Sequence, residues 1–185
     1  VTMEYTYAPV VKVEAESDDN TSNIRWAWTD VESKTEDFES GVLSNEWSTD
    51  AGYNPWTITN EHKYEGTYSM KSGGKGVNNN SGTWSNISIT VNVPSDNAVM
   101  SFYHKISSEE NWDKGFFYID DNPNSNDDHK VMISGDKDWA YVEFPVSKGY
   151  HTYKWGYYKD ASTNYGDDTY YVDNITFYKA KAEEG

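Results

Sequence analysis

Alternation of apolar and polar residues is the strongest fold signal in this chain. In the run SNISITVNV, Ile87, Ile89, Val91 and Val93 alternate with polar residues, which is the pattern of a strand with one buried face. Similar short runs recur between turn residues, and no run carries apolar residues at helical spacing. About eight or more strands without helices predict an all-β fold, an antiparallel two-sheet β-sandwich of the jelly-roll type.

Local composition divides the chain into three parts. Residues 1–35 hold two strand-like runs around the polar cluster SDDNTSN and are predicted to form a hairpin-like extension or the remnant of a preceding domain. Residues 36–179 are predicted to form the jelly-roll module, and VESKTE, from Val31 to Glu36, is interpreted as a linker. Residues 180–185 are expected to be a flexible tail. The first residues lack the regions of a signal peptide, so we expect a mature fragment tethered to other domains of a larger chain.

Charge and cysteine content narrow the classes of partner. The sequence has 31 acidic and 15 basic residues, which gives a formal net charge of -16. Nucleic acids and anionic membrane surfaces attract positive charge, so neither is expected as a partner. No apolar run reaches the length of about 18 residues that a membrane span needs, so no membrane insertion is expected. The absence of cysteine excludes disulfides and thiolate metal sites and, in a secreted protein, favours a bacterial source.

Several motifs occur in a fixed order between residues 37 and 178. They are DFESGVLSNEWSTD, YEGTYSMKS, SFYHKISSEENWDKGFFYID, ISGDKDWAYVEFPVSKGYHTYKWGYYKD and YYVDNITFY. With these motifs the chain resembles the cleaved-adhesin and MAM-like jelly-roll domains, which include gingipain adhesin domains, and is similar to calcium-containing bacterial carbohydrate-binding modules. The resemblance implies a two-sheet jelly roll with a structural calcium ion and an extracellular or bacterial cell-surface location.

The resemblance also implies where that calcium ion binds, between the acidic start of the module and the aspartate of the DNI motif. The matching residues are Glu39 and Asp173, with Asp37 adjacent and with Asp50 and Asn54 in the loop STDAGYN. An unpaired carboxylate inside an apolar strand pattern carries a high desolvation cost, so a cation is a reasonable partner for Glu39 and Asp173. The remaining acidic clusters are interpreted as solvated loop charges, at Asp120, Asp121, Asp127 and Asp128 and at Asp160, Asp167 and Asp168.

Aromatic residues are the candidate ligand-binding groups, since a flat ring packs against the apolar C–H face of a pyranose. Trp84, Trp112 and Trp47 lie in polar, loop-like segments and are predicted to be exposed carbohydrate-binding residues. Trp139 begins a strand after GDKD and fits either a core or a surface position, and Tyr53 is a weaker candidate near a loop. The tryptophans predicted to be structural are Trp56 and Trp155.

Catalytic motifs are missing from the sequence. The four histidines show no HExxH spacing, and no GxSxG nucleophile motif occurs, so the protein is not expected to be an enzyme. The leading hypothesis is a non-catalytic carbohydrate-binding module of a larger secreted bacterial protein, with a polysaccharide or glycan as partner. A protein-binding cell-surface adhesin domain and a structural spacer remain as alternatives.

Overall fold

The fold was analysed in a computed structural model of the chain, which describes residues 8–18, 21–31, 33–49, 55–74, 82–120 and 128–180. The described residues form thirteen β-strands. They contain no helix long and apolar enough to cross a membrane. The strands are β1 Ala8–Asp18, β2 Thr21–Val31, β3 Ser33–Glu36, β4 Ser48–Thr49, β5 Thr57–Thr59, β6 Ser69–Lys71, β7 Thr83–Val93, β8 Ala98–Ser107, β9 Lys114–Ile119, β10 Val131–Ser134, β11 Asp136–Val146, β12 Gly149–Lys159 and β13 Thr169–Ala180.

Two antiparallel sheets form the module. The five-stranded sheet has the order β10-β9-β12-β7-β4, and the six-stranded sheet has the order β11-β8-β13-β6-β5 with β3 also paired to β13. Neighbouring strands in both sheets run antiparallel, and the sheets are not closed into a barrel. The predicted antiparallel two-sheet β-sandwich is therefore confirmed.

The core lies between the sheets and is rich in aromatic rings. Ile87, Ile89, Val91 and Val93 are all buried there, as the alternation in β7 predicts. Trp155 on β12 is fully buried, with its ring centroid 4.9 Å from that of Phe117. Burial of Trp155, and of Trp56 at 2% exposure, confirms that these two tryptophans are structural. Truncation of such a ring to alanine typically costs about 3 to 5 kcal/mol of stability.

The N-terminal residues form a separate two-stranded sheet. Strands β1 and β2 pair antiparallel along their whole lengths, from Ala8 opposite Val31 to Asp18 opposite Thr21. The interpretation of Val31 to Glu36 as a linker is wrong, because Ser33–Glu36 pairs with β13. Backbone pairing needs no apolar side chains, so hydropathy alone does not reveal such a strand. The predicted tail falls almost entirely outside the described residues.

Candidate functional site

Four aromatic rings form a continuous patch on the outer face of the six-stranded sheet, and we call this patch the aromatic platform. Tyr64 and Tyr103 are stacked, with ring centroids 3.5 Å apart and ring planes 13° apart. Trp139 meets Tyr64 edge-on at 6.2 Å, and Tyr141 lies 5.2 Å from Tyr103. Tyr64 is 43% exposed and Tyr141 is 51% exposed, so the platform presents aromatic surface to solvent.

Strand register positions the platform. On β8, Phe102 and His104 point into the core, so Tyr103 between them points outward. Tyr141 on β11 lies directly opposite Tyr103, which places the two rings side by side on the same face. Tyr64 reaches the platform from the connection between β5 and β6, whose backbone is held against β13.

Charged and polar groups border the aromatic platform. The Lys105 ammonium lies 3.3 Å from Asp138 Oδ1, and the Tyr141 hydroxyl donates a 2.9 Å hydrogen bond to Glu143 Oε2. The backbone N–H of Trp139, followed by Lys105, lowers the pKa of Asp138, so this carboxylate is ionised at neutral pH. Flat rings with hydrogen-bonding groups at their edges are the combination that a sugar ring requires.

The structure separates the aromatic residues that the sequence grouped together. Trp139 belongs to the aromatic platform. Trp112 is 62% exposed on the turn between β8 and β9. Trp84 is half-buried on β7, on the five-stranded sheet. Its ring centroid lies 5.2 Å from each of its two aromatic neighbours, Phe116 and Tyr158. These tryptophans therefore lie on different parts of the molecule.

Trp47 is not the exposed residue that its polar surroundings predict. It is 8% exposed and lies in the core, 5.8 Å from Trp155 and 5.9 Å from Phe177 between ring centroids. The prediction of exposure is wrong because a short polar segment carries this one large ring inward between the sheets. The candidate Tyr53 lies outside the described residues. Sequence reasoning missed Tyr64, Tyr103 and Tyr141, although the alternation in SFYHKI offered a signal for the outward position of Tyr103.

Among the predicted calcium ligands, Glu39 and Asp173 lie on either side of the turn formed by residues 64–68. Glu39 Oε1 accepts hydrogen bonds from the backbone N–H groups of Thr67 and Tyr68, at 2.8 and 2.9 Å. Asp173 Oδ2 accepts from the N–H groups of Tyr64 and Glu65, at 2.8 and 3.3 Å. The backbone donors of this turn therefore compensate part of the negative charge.

A cation fits this turn on the chemistry of its oxygen atoms. Burial raises the pKa of Asp173, and the negative charge of Glu39 adds to that effect, whereas backbone hydrogen bonds oppose it. Each carboxylate has about four lone-pair positions, and the turn uses only some of them. Asp37 is exposed, and its Oδ1 accepts a 3.1 Å hydrogen bond from the Glu39 N–H. The other two predicted ligands, Asp50 and Asn54, lie outside the described residues.

A second acidic group was not predicted as a metal site, and we call it the acidic pocket. It consists of Glu109 and Asp113 on the β8–β9 turn together with Asp160 after β12. One carboxylate oxygen from each residue lies within 4.8 Å of the other two, so the group is able to hold a metal ion. Asp113 is fully buried, as is the adjacent Asp168 just before β13. The interpretation of Asp168 as a solvated loop charge is therefore wrong.

One buried lysine compensates the acidic pocket. Lys159, only 3% exposed, places its ammonium 2.9 Å from Asp113 Oδ2 and 3.3 Å from Asp160 Oδ1. Burial raises the pKa of Asp168 to about 6, and the neighbouring Asp113 adds to this effect, whereas the backbone N–H of Tyr165 and the charge of Lys159 oppose it. Glu109 and Asp113 were missed because the segment SSEENWDK has the composition of a solvated surface loop.

Comparison with known proteins identifies the fold. No protein-family model matches the sequence, and no curated protein matches it. The K1 cleaved adhesin domain of Lys-gingipain from Porphyromonas gingivalis W83 superposes with a TM-score of 0.56 at 13% identity, over 81% of this chain and 99% of that domain.

Two carbohydrate-binding modules are also similar in structure. TmCBM61, solved in complex with β-1,4-galactotriose, gives a TM-score of 0.53 at 15% identity, over 78% of this chain and 94% of that chain. The CBM22-1 xylan-binding domain of Xyn10C from Paenibacillus barcinonensis gives a TM-score of 0.50 at 16% identity, over 82% of this chain and 97% of that domain. This chain therefore has the β-sandwich fold that cleaved adhesin domains share with carbohydrate-binding modules, as its sequence motifs predict.

Proposed function

We propose that this protein is a non-catalytic carbohydrate-binding module of a larger secreted bacterial protein, and that it binds polysaccharide outside the cell or at the cell surface. The observation that carries the proposal is the aromatic platform, where Tyr64, Tyr103, Trp139 and Tyr141 join into one exposed surface. A row of contiguous rings suits a chain of several sugar units better than a single small ligand. Binding to polysaccharide would keep a linked domain close to its substrate and raise the effective concentration there.

Two further observations support this function. TmCBM61 and the CBM22-1 domain have the same fold, and they are described as bound to β-1,4-galactotriose and as xylan-binding, respectively. The net charge of -16 disfavours anionic polysaccharides, because like charges repel at the surface. We therefore expect the ligand to be a neutral polysaccharide such as a galactan, xylan, glucan or mannan.

Calcium is part of the proposal. The sequence resemblance implies an ion at Glu39 and Asp173, with Asp37, Asp50 and Asn54 as further ligands, and the paired carboxylates at the 64–68 turn support this proposal. An ion that binds only the folded state raises its stability. Melting curves with and without chelator test this point, and we expect a smaller calcium-dependent shift in E39Q than in the unmodified protein.

Affinity electrophoresis against soluble galactan, xylan, xyloglucan, β-glucan and mannan tests the carbohydrate-binding function. We expect at least one neutral polysaccharide to retard the protein. The double variant W139A/Y141A should weaken retardation by about tenfold or more, the size expected when anchoring aromatic residues are removed from an interface. W112A and W84A, tested in parallel, will show whether those sequence-predicted residues contribute.

The matched control for this experiment is Y150A. Tyr150 is 76% exposed at the start of β12 and has no ring contact with the aromatic platform among the described residues. Its removal should leave retardation unchanged. If no polysaccharide retards the unmodified protein, or if W139A/Y141A binds as well as Y150A, the proposed use of the platform is wrong.

A further inference from the structure

The acidic pocket contains more buried negative charge than its basic residue can balance. Asp113 and Asp168 are both fully buried, and Glu109 and Asp160 are partly buried beside them. Lys159 is the basic side chain that contacts these carboxylates among the described residues. Uncompensated buried charge is strongly destabilising, so additional positive charge would stabilise a group of this composition.

Backbone N–H groups satisfy part of the pocket, because those of Asp160, Ser162 and Tyr165 donate to Asp113 Oδ1, Asp160 Oδ1 and Asp168 Oδ1. The other carboxylate oxygen atoms point to the deficit. Asp168 Oδ2 and Glu109 Oε2 are buried oxygen atoms without a hydrogen-bond donor. Asp113 Oδ2, by contrast, has the Lys159 ammonium as its partner, 2.9 Å away. Buried polar atoms in folded proteins almost always have partners. Glu109 and Asp113 lie on the β8–β9 turn and Asp168 lies just before β13, and Asp113 is one of the charged groups that act on Asp168.

We propose that the acidic pocket is a calcium-binding site, with carboxylate oxygens of Glu109, Asp113 and Asp160 as ligands and Asp168 as a further ligand or neighbour. Calcium takes six to eight oxygen ligands from carboxylates and backbone carbonyls and tolerates irregular geometry. The pocket supplies oxygen donors, which favour calcium over the metals that prefer nitrogen or sulfur ligands. This site is separate from the one at Glu39 and Asp173 and does not depend on the proposed carbohydrate-binding function.

Lys159 has a defined role in this proposal. Its ammonium occupies the space between Asp113 and Asp160 and donates a 2.7 Å hydrogen bond to the Thr163 carbonyl. The lysine therefore competes with calcium for the same carboxylates. Because it supplies one positive charge where calcium supplies two, the ion is the better match for several carboxylates.

Calcium in the pocket would join two connections of the fold. The β8–β9 turn carries Glu109 and Asp113, and the connection of residues 160–168 between β12 and β13 carries the remaining carboxylates. That connection also reaches towards the aromatic platform, because Asp167 Oδ2 lies 3.1 Å from His62 Nε2, two residues before Tyr64. The ion would therefore stabilise a segment that supports the platform.

Terbium luminescence and calorimetry test the proposal on the full chain after removal of bound metal by chelator. Aromatic residues near the pocket include Trp112, whose backbone N–H donates to the Glu109 carbonyl at 3.3 Å, and Tyr157, on whose hydroxyl the charges of Asp113, Asp160 and Asp168 act. We expect saturable terbium emission that calcium displaces. W112F should retain the calcium affinity measured by calorimetry.

Substitutions of the ligands provide the decisive comparison. D160N and E109Q should each weaken calcium binding by about tenfold or more, whereas D128N, at an exposed aspartate elsewhere, should leave it unchanged. K159M should bind calcium more tightly than the unmodified protein. The proposal is overturned if D160N and E109Q bind calcium with unchanged stoichiometry and affinity. Loss of all calcium binding in E39Q alone would likewise overturn it and would assign the ion to the 64–68 turn.

Discussion

The 64–68 turn and the acidic pocket both gather carboxylates, but they compensate the negative charge in different ways. At the turn, Glu39 and Asp173 accept hydrogen bonds from a series of backbone N–H groups whose positions the turn fixes. In the pocket, Asp113, Asp160 and Asp168 each accept one backbone N–H hydrogen bond, but Asp113 and Asp160 also share the ammonium of one lysine, Lys159. Asp168 Oδ2 and Glu109 Oε2 have no donor. Backbone donors satisfy part of both groups, and the pocket depends in addition on its shared lysine and on added cations.

The largest expected loss of stability follows from removal of the lysine in the acidic pocket. K159M leaves the fully buried Asp113 without its positive partner, and loss of one member of a buried ion pair typically costs about 3 to 5 kcal/mol. Urea unfolding in the presence of chelator measures this loss. Saturating calcium should restore much of the stability, because the ion binds the folded pocket.

A surface ion pair gives the matched control for this substitution. Lys71 lies 2.7 Å from Glu61 with both side chains partly exposed, so K71M should change stability by no more than about 1 kcal/mol. Equal stabilities of K159M and K71M in chelator would show that the pocket does not depend on its lysine. The contrast with the turn would then disappear.

A smaller effect is expected when the turn loses an acceptor. In D173N, one carboxylate oxygen is replaced by an amide group that faces the N–H donors of Tyr64, Glu65 or Asn174. Loss of acceptors for buried donors costs about 1 to 3 kcal/mol. Urea unfolding should show this loss even with chelator present, because the backbone donors lose their acceptor whether or not an ion is bound. A loss confined to calcium-containing buffer would contradict this account of the turn.

Much of the fold is predictable from the sequence because burial follows strand alternation. The run containing Ile87, Ile89, Val91 and Val93 predicts a strand with one inward face, and the structure buries all four residues. Strand β3 was not predicted, because its polar sequence is held by backbone pairing to β13 and carries no hydropathy signal. Trp47 was wrongly predicted to be exposed, because its neighbours in the sequence are polar although its ring lies in the core.

The functional surfaces are less predictable because they depend on strand register and on contacts between distant segments. Trp139 was a candidate for carbohydrate binding, but its neighbours Tyr64 and Tyr103 come from other segments of the chain. The register that brings these segments together cannot be read from the sequence. The acidic pocket likewise combines residues that are about fifty positions apart, which places them beyond any local motif. Asp113 and Asp160 each look like a solvated loop charge when read alone.

The smallest expected effect concerns His104, a titratable group that is buried in a third way. His104 lies in the core beside Tyr170, and its Nδ1 is 2.9 Å from the tyrosine hydroxyl. Burial lowers the pKa of His104 from 6.5 to about 4, so this residue avoids a buried charge by remaining neutral. Between pH 6.5 and 4 the unfolded chain binds a proton that the folded protein rejects, so stability should fall as the pH decreases through this range. Asp168 has the opposite effect on stability. Its raised pKa of about 6 means that the folded state binds a proton before the unfolded chain does, so this residue adds stability as the pH decreases.

A difference measurement isolates the histidine from the carboxylates. Free energies of unfolding measured from pH 7 to pH 5 should decrease less steeply in H104Q than in the unmodified protein, by up to about 1.4 kcal/mol per pH unit. The carboxylates are common to both proteins, so their contribution cancels in the comparison. Parallel pH profiles for H104Q and the unmodified protein would mean that His104 accepts its proton in the folded state as readily as in the unfolded chain. The core would then tolerate a buried charge without a partner, unlike the acidic pocket.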